Sequence, residues 1–278
     1  MTSGNRHLEG KSAWITGSSR GIGRVIAGHL ASLGARVAVH GTSPTSTRAF
    51  NEADSLEDVA RDISAEHHVE TLAVHGDLTD EETVRRVAAE IRARFGRIDI
   101  LVNNAGGDIG EAGPMGPDAG RPPHNDALFI SSADLHTVID RNLMTCIYCC
   151  RHVAPEMMER KAGHIVNVSS DDGLRGVVQG AIYATAKAAV IHYTRCLAAQ
   201  LRPHNVAVNA VAPGLIVTPR IVASNQVDRD RLDESGTFER YGRPTEVARV
   251  VEFLVSEANT YMTGQVLRVD GGEQLWPA

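Results

Sequence analysis

The sequence predicts an α/β fold in which about seven parallel strands form one doubly wound sheet with helices on both faces. Three observations predict it. Short, continuously apolar runs alternate with longer segments of helical period along the 278 residues. A glycine-rich turn stands between the first strand and the first helix. Aromatics make up only 4% of the chain, which suits aliphatic strands covered by Ala-rich helices. Strands apolar along their whole length are buried on both faces, and right-handed crossovers carry the chain to either side of one sheet.

The elements follow in order. Lys11–Thr16 reads as the first strand and Ile22–Leu33 as a helix stopped by Gly34. Arg36–His40 is the second strand, followed by a helix within Asp54–Glu66. Glu70–His75 is the third strand, and Asp80–Phe95 a helix opened by an Asp cap. Asp99–Asn103 is the fourth strand. Ser132–Arg160 reads as one long helix capped by Ser131 or Ser132. The second half repeats the rhythm with His164–Ser169 (strand), Ile182–Leu201 (helix), Val206–Val211 (strand), Glu246–Ser256 (helix) and Val266–Val269 (strand).

Two segments break the alternation, 107–130, rich in Gly, Pro and Asp, and 214–242, irregular and charged. Both follow the carboxyl ends of strands, where open α/β sheets bind ligands. No linker-like shift in composition divides the chain, so 1–278 is expected to form a single domain with a short tail at 1–9.

The formal net charge is −6 and no long basic run occurs, which argues against nucleic acid as a partner. Met1–Gly10 lacks the apolar stretch of a signal peptide, and no segment has the length of a membrane span. A cytoplasmic protein without a membrane partner is expected. Cys146, Cys149 and Cys150 share one face of the long helix, and with Cys196 they show no paired metal-ligand spacing. They are expected to be buried packing thiols. The twelve histidines are scattered, and no metal enters the expected chemistry.

Between the first strand and helix runs Thr16-Gly17-Ser18-Ser19-Arg20-Gly21-Ile22-Gly23. Gly17 permits the sharp exit from the strand, Gly21 lets backbone approach a pyrophosphate, and Gly23 allows close helix–strand packing. The helix amino end supplies free N–H groups and partial positive charge. Tyr183 and Lys187 stand four apart in a helix and so share a face one turn apart. A nearby ammonium would favour the phenolate of a phenol that otherwise titrates near ~10, tuning it for proton transfer.

These motifs resemble the short-chain dehydrogenase/reductase family. The pattern T-G-x-x-x-G-x-G spans Thr16 to Gly23, N-N-A-G is Asn103-Asn104-Ala105-Gly106, and Y-x-x-x-K is Tyr183 to Lys187. Pro213-Gly214 follows the sixth strand, and Gly264-Gln265 with Val269-Asp270-Gly271-Gly272 closes the pattern. The resemblance covers residues 9–272 and implies a Rossmann fold and hydride transfer between a nicotinamide and a carbonyl/secondary alcohol. It implies that Tyr183 is the acid/base and that Lys187 bonds the nicotinamide ribose. Ser170, thirteen residues before Tyr183, corresponds to the serine that bonds the substrate oxygen, with Ser169 as the adjacent alternative. Asn142 corresponds to the member that holds a relay water; its alternative is a helix hydrogen bond.

For the cofactor, the implied contacts are Gly17, Ser19, Arg20, Gly21, Ile22, Gly23, Thr42, Ser43, Asp77, Leu78, Asn104, Ala105, Gly106, Pro213 and Gly214, besides Tyr183 and Lys187. No carboxylate ends the second strand at His40, where NAD-dependent relatives place one, and Arg20 resembles the basic residue of NADP-preferring members. NADP(H) is therefore favoured over NAD(H), with Thr42 and Ser43 adding hydrogen bonds. Asp171, Asp172, Gln179, Asp108, His124, Asn125 and Asp126 suggest a polar pocket for a sugar- or polyol-like substrate. The runner-up is a 3-oxoacyl thioester, with Arg151 and Arg195 receiving an acidic carrier. A cofactor-binding sensor without turnover is the alternative of another class. Relatives are mostly homotetramers, and apolar excess in Ser132–Arg160 and Ile182–Leu201 predicts a homotetramer or homodimer.

Overall fold

The apolar runs form one seven-stranded sheet in the computed structural model, which describes residues 6–224 and 227–275. The strands are β1 (Ser12–Ile15), β2 (Arg36–Gly41), β3 (Thr71–His75), β4 (Ile100–Asn103), β5 (Gly163–Val168), β6 (Val206–Pro213) and β7 (Val266–Val269). All pair in parallel in the order β3-β2-β1-β4-β5-β6-β7. The chain reverses its direction of winding at the β1/β4 boundary, so a crevice opens at the carboxyl ends of these two strands.

The principal helices are α1 (Gly21–Ser32), α2 (Leu56–His67), α3 (Glu81–Phe95), α4 (Ser132–Ile139), α5 (Thr145–Arg160), α6 (Ala181–Leu201), α7 (Pro219–Ser224) and α8 (Pro244–Val255). Successive strand residues point to opposite faces. Ala13, Ile15, Val37 and Val39 pack under α1, α2 and α8, whereas Trp14, Ala38 and Leu101 pack under α3, α5 and α6. Burying each large aliphatic or aromatic chain is worth roughly 1.5–3 kcal/mol, so the two cores fix which face each strand residue takes. The predicted winding and helix coverage are observed.

Several boundaries and loops differ from the expectation. Residues 6–9 are not a free tail, because Leu8 is buried and its N–H donates to the Leu33 carbonyl at 3.0 Å; residues 1–5 lie outside the described residues. The Asp80 cap is present, its carboxylate accepting the Glu82 and Thr83 N–H groups. Ser131, rather than Ser132, caps α4. Cys146, Cys149 and Cys150 are buried on one face of α5, but Cys196 is exposed. Segment 214–242 contains α7, which sequence period did not reveal.

The expected single helix over 132–160 is interrupted by a π turn at Asp140–Met144. Asn142 causes it. Its Nδ2 donates to the Val138 carbonyl at 2.8 Å, the acceptor that the backbone N–H of residue 142 takes in an α-helix. With that acceptor shared, the ladder widens by one residue, and the Asn142 side chain is aimed inward from the bulge.

Candidate active site

The crevice at the carboxyl ends of β1 and β4 begins with the glycine loop. Gly17 adopts φ +62°, and a Cβ there would lie 2.8 Å from Ala105 Cα, so only glycine allows the loop to press against β4's exit. Thr16 Oγ1 accepts the Asn104 and Ala105 N–H groups at 2.9 Å each. Asn104 Nδ2 donates to the Thr16 and Gly17 carbonyls at 3.1 Å. Gly23 stays behind the loop, where a Cβ would meet Asn104 Nδ2 at 2.4 Å and Gly17 O at 2.5 Å. It packs the helix against the loop and does not line the crevice.

His40, at the end of β2, braces the same loop. The Gly17 N–H donates to its Nδ1 at 3.1 Å, which leaves Nε2–H to donate to the Gly76 carbonyl at 3.0 Å. Burial pushes its pKa down to about 4. The imidazole is therefore neutral, with its tautomer set by these two partners.

The crevice is lined by Gly17, Ser19, Arg20, Gly21 and Ile22 from the loop, then Thr42, Asp77 and Leu78. Asn104, Ala105, Gly106, Pro213 and Gly214 close its floor, and Ser170, Tyr183 and Lys187 stand at its far end. Of the residues expected at the cofactor, Ser43 and Gly23 do not reach its surface. Asn142 lies just behind, accepting the Gly107 N–H at 2.8 Å and donating to the Gly107 carbonyl at 2.9 Å.

The Tyr183 phenol is pushed up by burial, with the Ser170 hydroxyl and then Arg220 drawing it partly back. Burial lowers Lys187 to about 8; its Nζ donates to the Val168 carbonyl at 2.9 Å and sits 5.6 Å from the Tyr183 ring centre. The expected balance is corrected here. Desolvation is the largest influence and Lys187 is not among the groups that offset it, so in the uncomplexed chain Tyr183 is a neutral phenol able to give a proton. Ser169 Oγ donates to the Lys187 carbonyl at 2.8 Å and is engaged in holding α6. Ser170 Oγ instead donates to Asp171 Oδ1 at 3.1 Å beside the phenol.

The expected polar pocket is arranged differently. Asp171 and Asp172 pair with Arg175 at 3.2 and 3.0 Å. Asp108 accepts from Asn125 Nδ2 at 2.6 Å and stands 3.6 Å from Arg121. His124 and Gln179 are exposed, and Asp126 caps the Leu128 and Phe129 N–H groups of its own turn. None of these lines the crevice. Arg151 pairs with Glu81 at 3.3 Å, and Arg195 is exposed on α6.

Three groups that sequence reasoning missed do line it: Glu52, Arg141 and Arg220. Glu52 Oε2 accepts the Gly21 N–H at 2.8 Å, while its Oε1 is buried without a hydrogen bond. Arg20 Nη1 donates to the Ser46 carbonyl at 2.7 Å and its guanidinium lies over Phe50. Arg141 and Arg220 each bury an Nε with no hydrogen bond. Burial lowers the pKa of Arg20, Arg141 and Arg220, and Arg141 and Arg220 add to the lowering of Arg20. A crevice with three mutually repelling guanidiniums and unused donors fits an elongated polyanion such as a dinucleotide. Among the described residues no His, Cys, Asp and Glu cluster is spaced to hold a metal, and no helix is long and apolar enough to cross a membrane.

Comparison with known proteins agrees with this geometry. A family model described as enoyl-(acyl carrier protein) reductase matches residues 17–274. The 3-oxoacyl-(acyl-carrier-protein) reductase of Aquifex aeolicus is 38% identical over 267 residues, covering 95% of this chain and 98% of the relative. Cyclohexanol dehydrogenase of Rhodococcus sp. is 39% identical over 274 residues, with 96% and 97% covered. Among solved structures, a 7α-hydroxysteroid dehydrogenase complexed with NADH and a 7-oxo bile acid superposes with TM-score 0.78 at 28% identity, over 98% of this chain and 97% of the other.

Proposed function

The chain belongs to the short-chain dehydrogenase/reductase family, and from that membership we propose that it reduces a polar carbonyl compound, or oxidises the matching secondary alcohol, with NADP(H) preferred. It is an oxidoreductase acting on alcohol and ketone groups. The observation that carries the proposal is the convergence of Ser170, Tyr183 and Lys187 on the crevice that the glycine loop opens.

When bound, the nicotinamide supplies or takes the hydride. The α1 amino end and the loop N–H groups hold the diphosphate, and Arg20 and Arg141 offset its charge. Ser170 donates to the substrate oxygen. Tyr183, neutral before binding, gives that oxygen its proton as reduction proceeds. With the cofactor bound, Lys187 would hold the ribose, and a water held by Asn142 would extend the relay from Lys187 that resupplies the phenol's proton.

Substituting Tyr183→Phe keeps the ring and removes the proton. Reduction should fall roughly 100- to 10,000-fold in kcat, with NADPH affinity nearly unchanged. Unchanged turnover would overturn the mechanism; a sensor without turnover would show NADPH-dependent stabilisation but no reduction by either form.

Preference for NADP(H) is supported by Arg20 and by the absence of a carboxylate at the end of β2, with Thr42 beside them. Glu52 supports a second reading in which NAD(H) is also accepted, because a carboxylate can bond a ribose hydroxyl but repels a phosphate. For the substrate, a hydroxylated sugar- or polyol-like compound is the first reading. A 3-oxoacyl thioester is the second, supported by the similarity to the Aquifex reductase. A panel of ketoses, diketones and 3-oxoacyl thioesters with each cofactor separates them. A cytoplasmic homotetramer or homodimer completes the proposal, and light scattering tests the assembly.

A further inference from the structure

Arg220 comes from α7, lines the crevice and carries an unused donor. Nη2 donates to the Asp108 backbone carbonyl at 2.7 Å, which fixes the plane of the guanidinium. Nε is buried without a hydrogen-bond partner. Asp108 Oδ2 accepts from Asn125 and stands 3.6 Å from Arg121, while its Oδ1 is buried without a hydrogen bond. Burial is the main influence against the Arg220 charge; Tyr183 and Asp108 favour it, and Arg121 and Arg141 oppose it.

Position decides which ligand the guanidinium meets. A Cβ built on Gly107 would lie 3.7 Å from Arg220 Nη1, and Gly107 is the residue whose backbone holds Asn142. Tyr183 and Arg220 are near enough to shift each other's titration. Arg20 is engaged with Ser46 and Phe50, and Arg220 adds to the lowering of its pKa. Ile109, Leu215 and Ile221 form apolar lining of the same crevice, Leu215 remaining open to solvent.

We propose that Arg220 reads a carboxylate on the substrate, one or two carbons from the reacting carbonyl, so that the chain acts on a 2- or 3-oxo acid and its hydroxy acid. This deepens the reading of the site as a dehydrogenase and rests on it. Reduction stays balanced: the carbonyl carbon gains a hydride from the reduced nicotinamide, its oxygen gains the Tyr183 proton, and the carboxylate is unchanged. A 3-oxoacyl thioester is neutral next to its ketone and offers the guanidinium no carboxylate. A planar guanidinium whose Nε–H has no partner is a shape that a carboxylate fills.

The test compares acetoacetate and 2-oxobutyrate with their methyl esters, in wild-type chain and in Arg220→Gln and Arg220→Lys. Wild type should favour each acid over its ester by about 30-fold or more in kcat/KM, because a buried donor left unpaired penalises the neutral analogue. Arg220→Gln should collapse that ratio to within about threefold, mostly through KM for the acid, and Arg220→Lys should restore part of it. Stabilisation of each variant by NADPH in a melt shows that it is folded. If the ratio is near one in wild type while esters and ketones are reduced, the carboxylate inference is wrong and the dehydrogenase reading stands. If Arg220→Gln instead weakens NADPH binding and leaves the acid/ester ratio intact, Arg220 serves the cofactor and the inference is overturned. If no carbonyl compound is reduced with either cofactor, the underlying reading fails as well.

Discussion

Glu52 places a carboxylate on the Gly21 N–H, at the amino end of α1. That position is electrically suited to an anion, which is why an acid settles there in the uncomplexed chain. A dinucleotide phosphate drawn to the same N–H groups meets a negative charge already in place. Replacing it by Glu52→Gln keeps the shape and removes the repulsion. Affinity for NADPH should rise about threefold to tenfold, the effect of roughly 1 kcal/mol at a helix terminus. NADH, which lacks the 2′-phosphate, should gain less. Fluorescence titration of both cofactors checks this, and equal or absent gains would remove Glu52 from cofactor selection. The sequence did not expose this residue: it lies eleven positions beyond Gly41 in a loop with no periodicity, and only the path of that loop turns it to the crevice. Tyr183 and Lys187 were legible because fixed spacing within a helix determines where they point, and Arg20 because it belongs to the glycine motif.

The π turn at Asp140–Met144 shows the same distinction for an element. Apolar period predicts that residues 132–160 are helical, and they are, apart from one widened turn. The widening depends on whether a single amide bonds solvent, backbone or both, which no period encodes. Asn142 is almost fully buried, and it satisfies the Gly107 N–H and carbonyl as well as the Val138 carbonyl. In Asn142→Ala these backbone groups lose their partners inside the fold. Each buried orphan costs about 1–3 kcal/mol, partly recovered if the helix closes to regular α geometry. We expect a net loss of about 2 kcal/mol in urea unfolding and a drop in kcat larger than the change in cofactor affinity. A variant as stable as wild type would mean that the turn does not depend on the side chain. Activity restored by Asn142→Gln would show that the amide, and not the exact backbone path, is what the site needs.

At the scale of the whole sheet, His40 joins the carboxyl ends of β1, β2 and β3 on one side of the crevice. Its ring accepts from the loop after β1 and donates to the residue following β3, while its own backbone N–H takes Ser18 Oγ at 2.8 Å. Strand order and helix coverage followed from apolar pattern, since burying either face wrongly would expose whole strands. The clamp did not, because a histidine in a strand looks alike whether it is braced or solvated. Its protonation adds a donor where Nδ1 must accept, so the native state resists the proton. The folded pKa is about 4, against about 6.5 for an unperturbed imidazole. Between those values the unfolded chain binds a proton that the native chain does not, so stability falls as pH drops from about 6.5 toward about 4. The contribution is fully present above that window and is on the order of 3 kcal/mol. His40→Gln keeps an acceptor and a donor but cannot titrate. Urea unfolding at pH 7.5, 5.5 and 4.5, without cofactor, should show a shallower acid loss for the variant than for wild type. The His164 ring, also buried and shifted downward, contributes equally to both proteins and cancels in the comparison. Parallel acid profiles in the two proteins would mean that the His40 clamp does not govern the acid sensitivity of this fold.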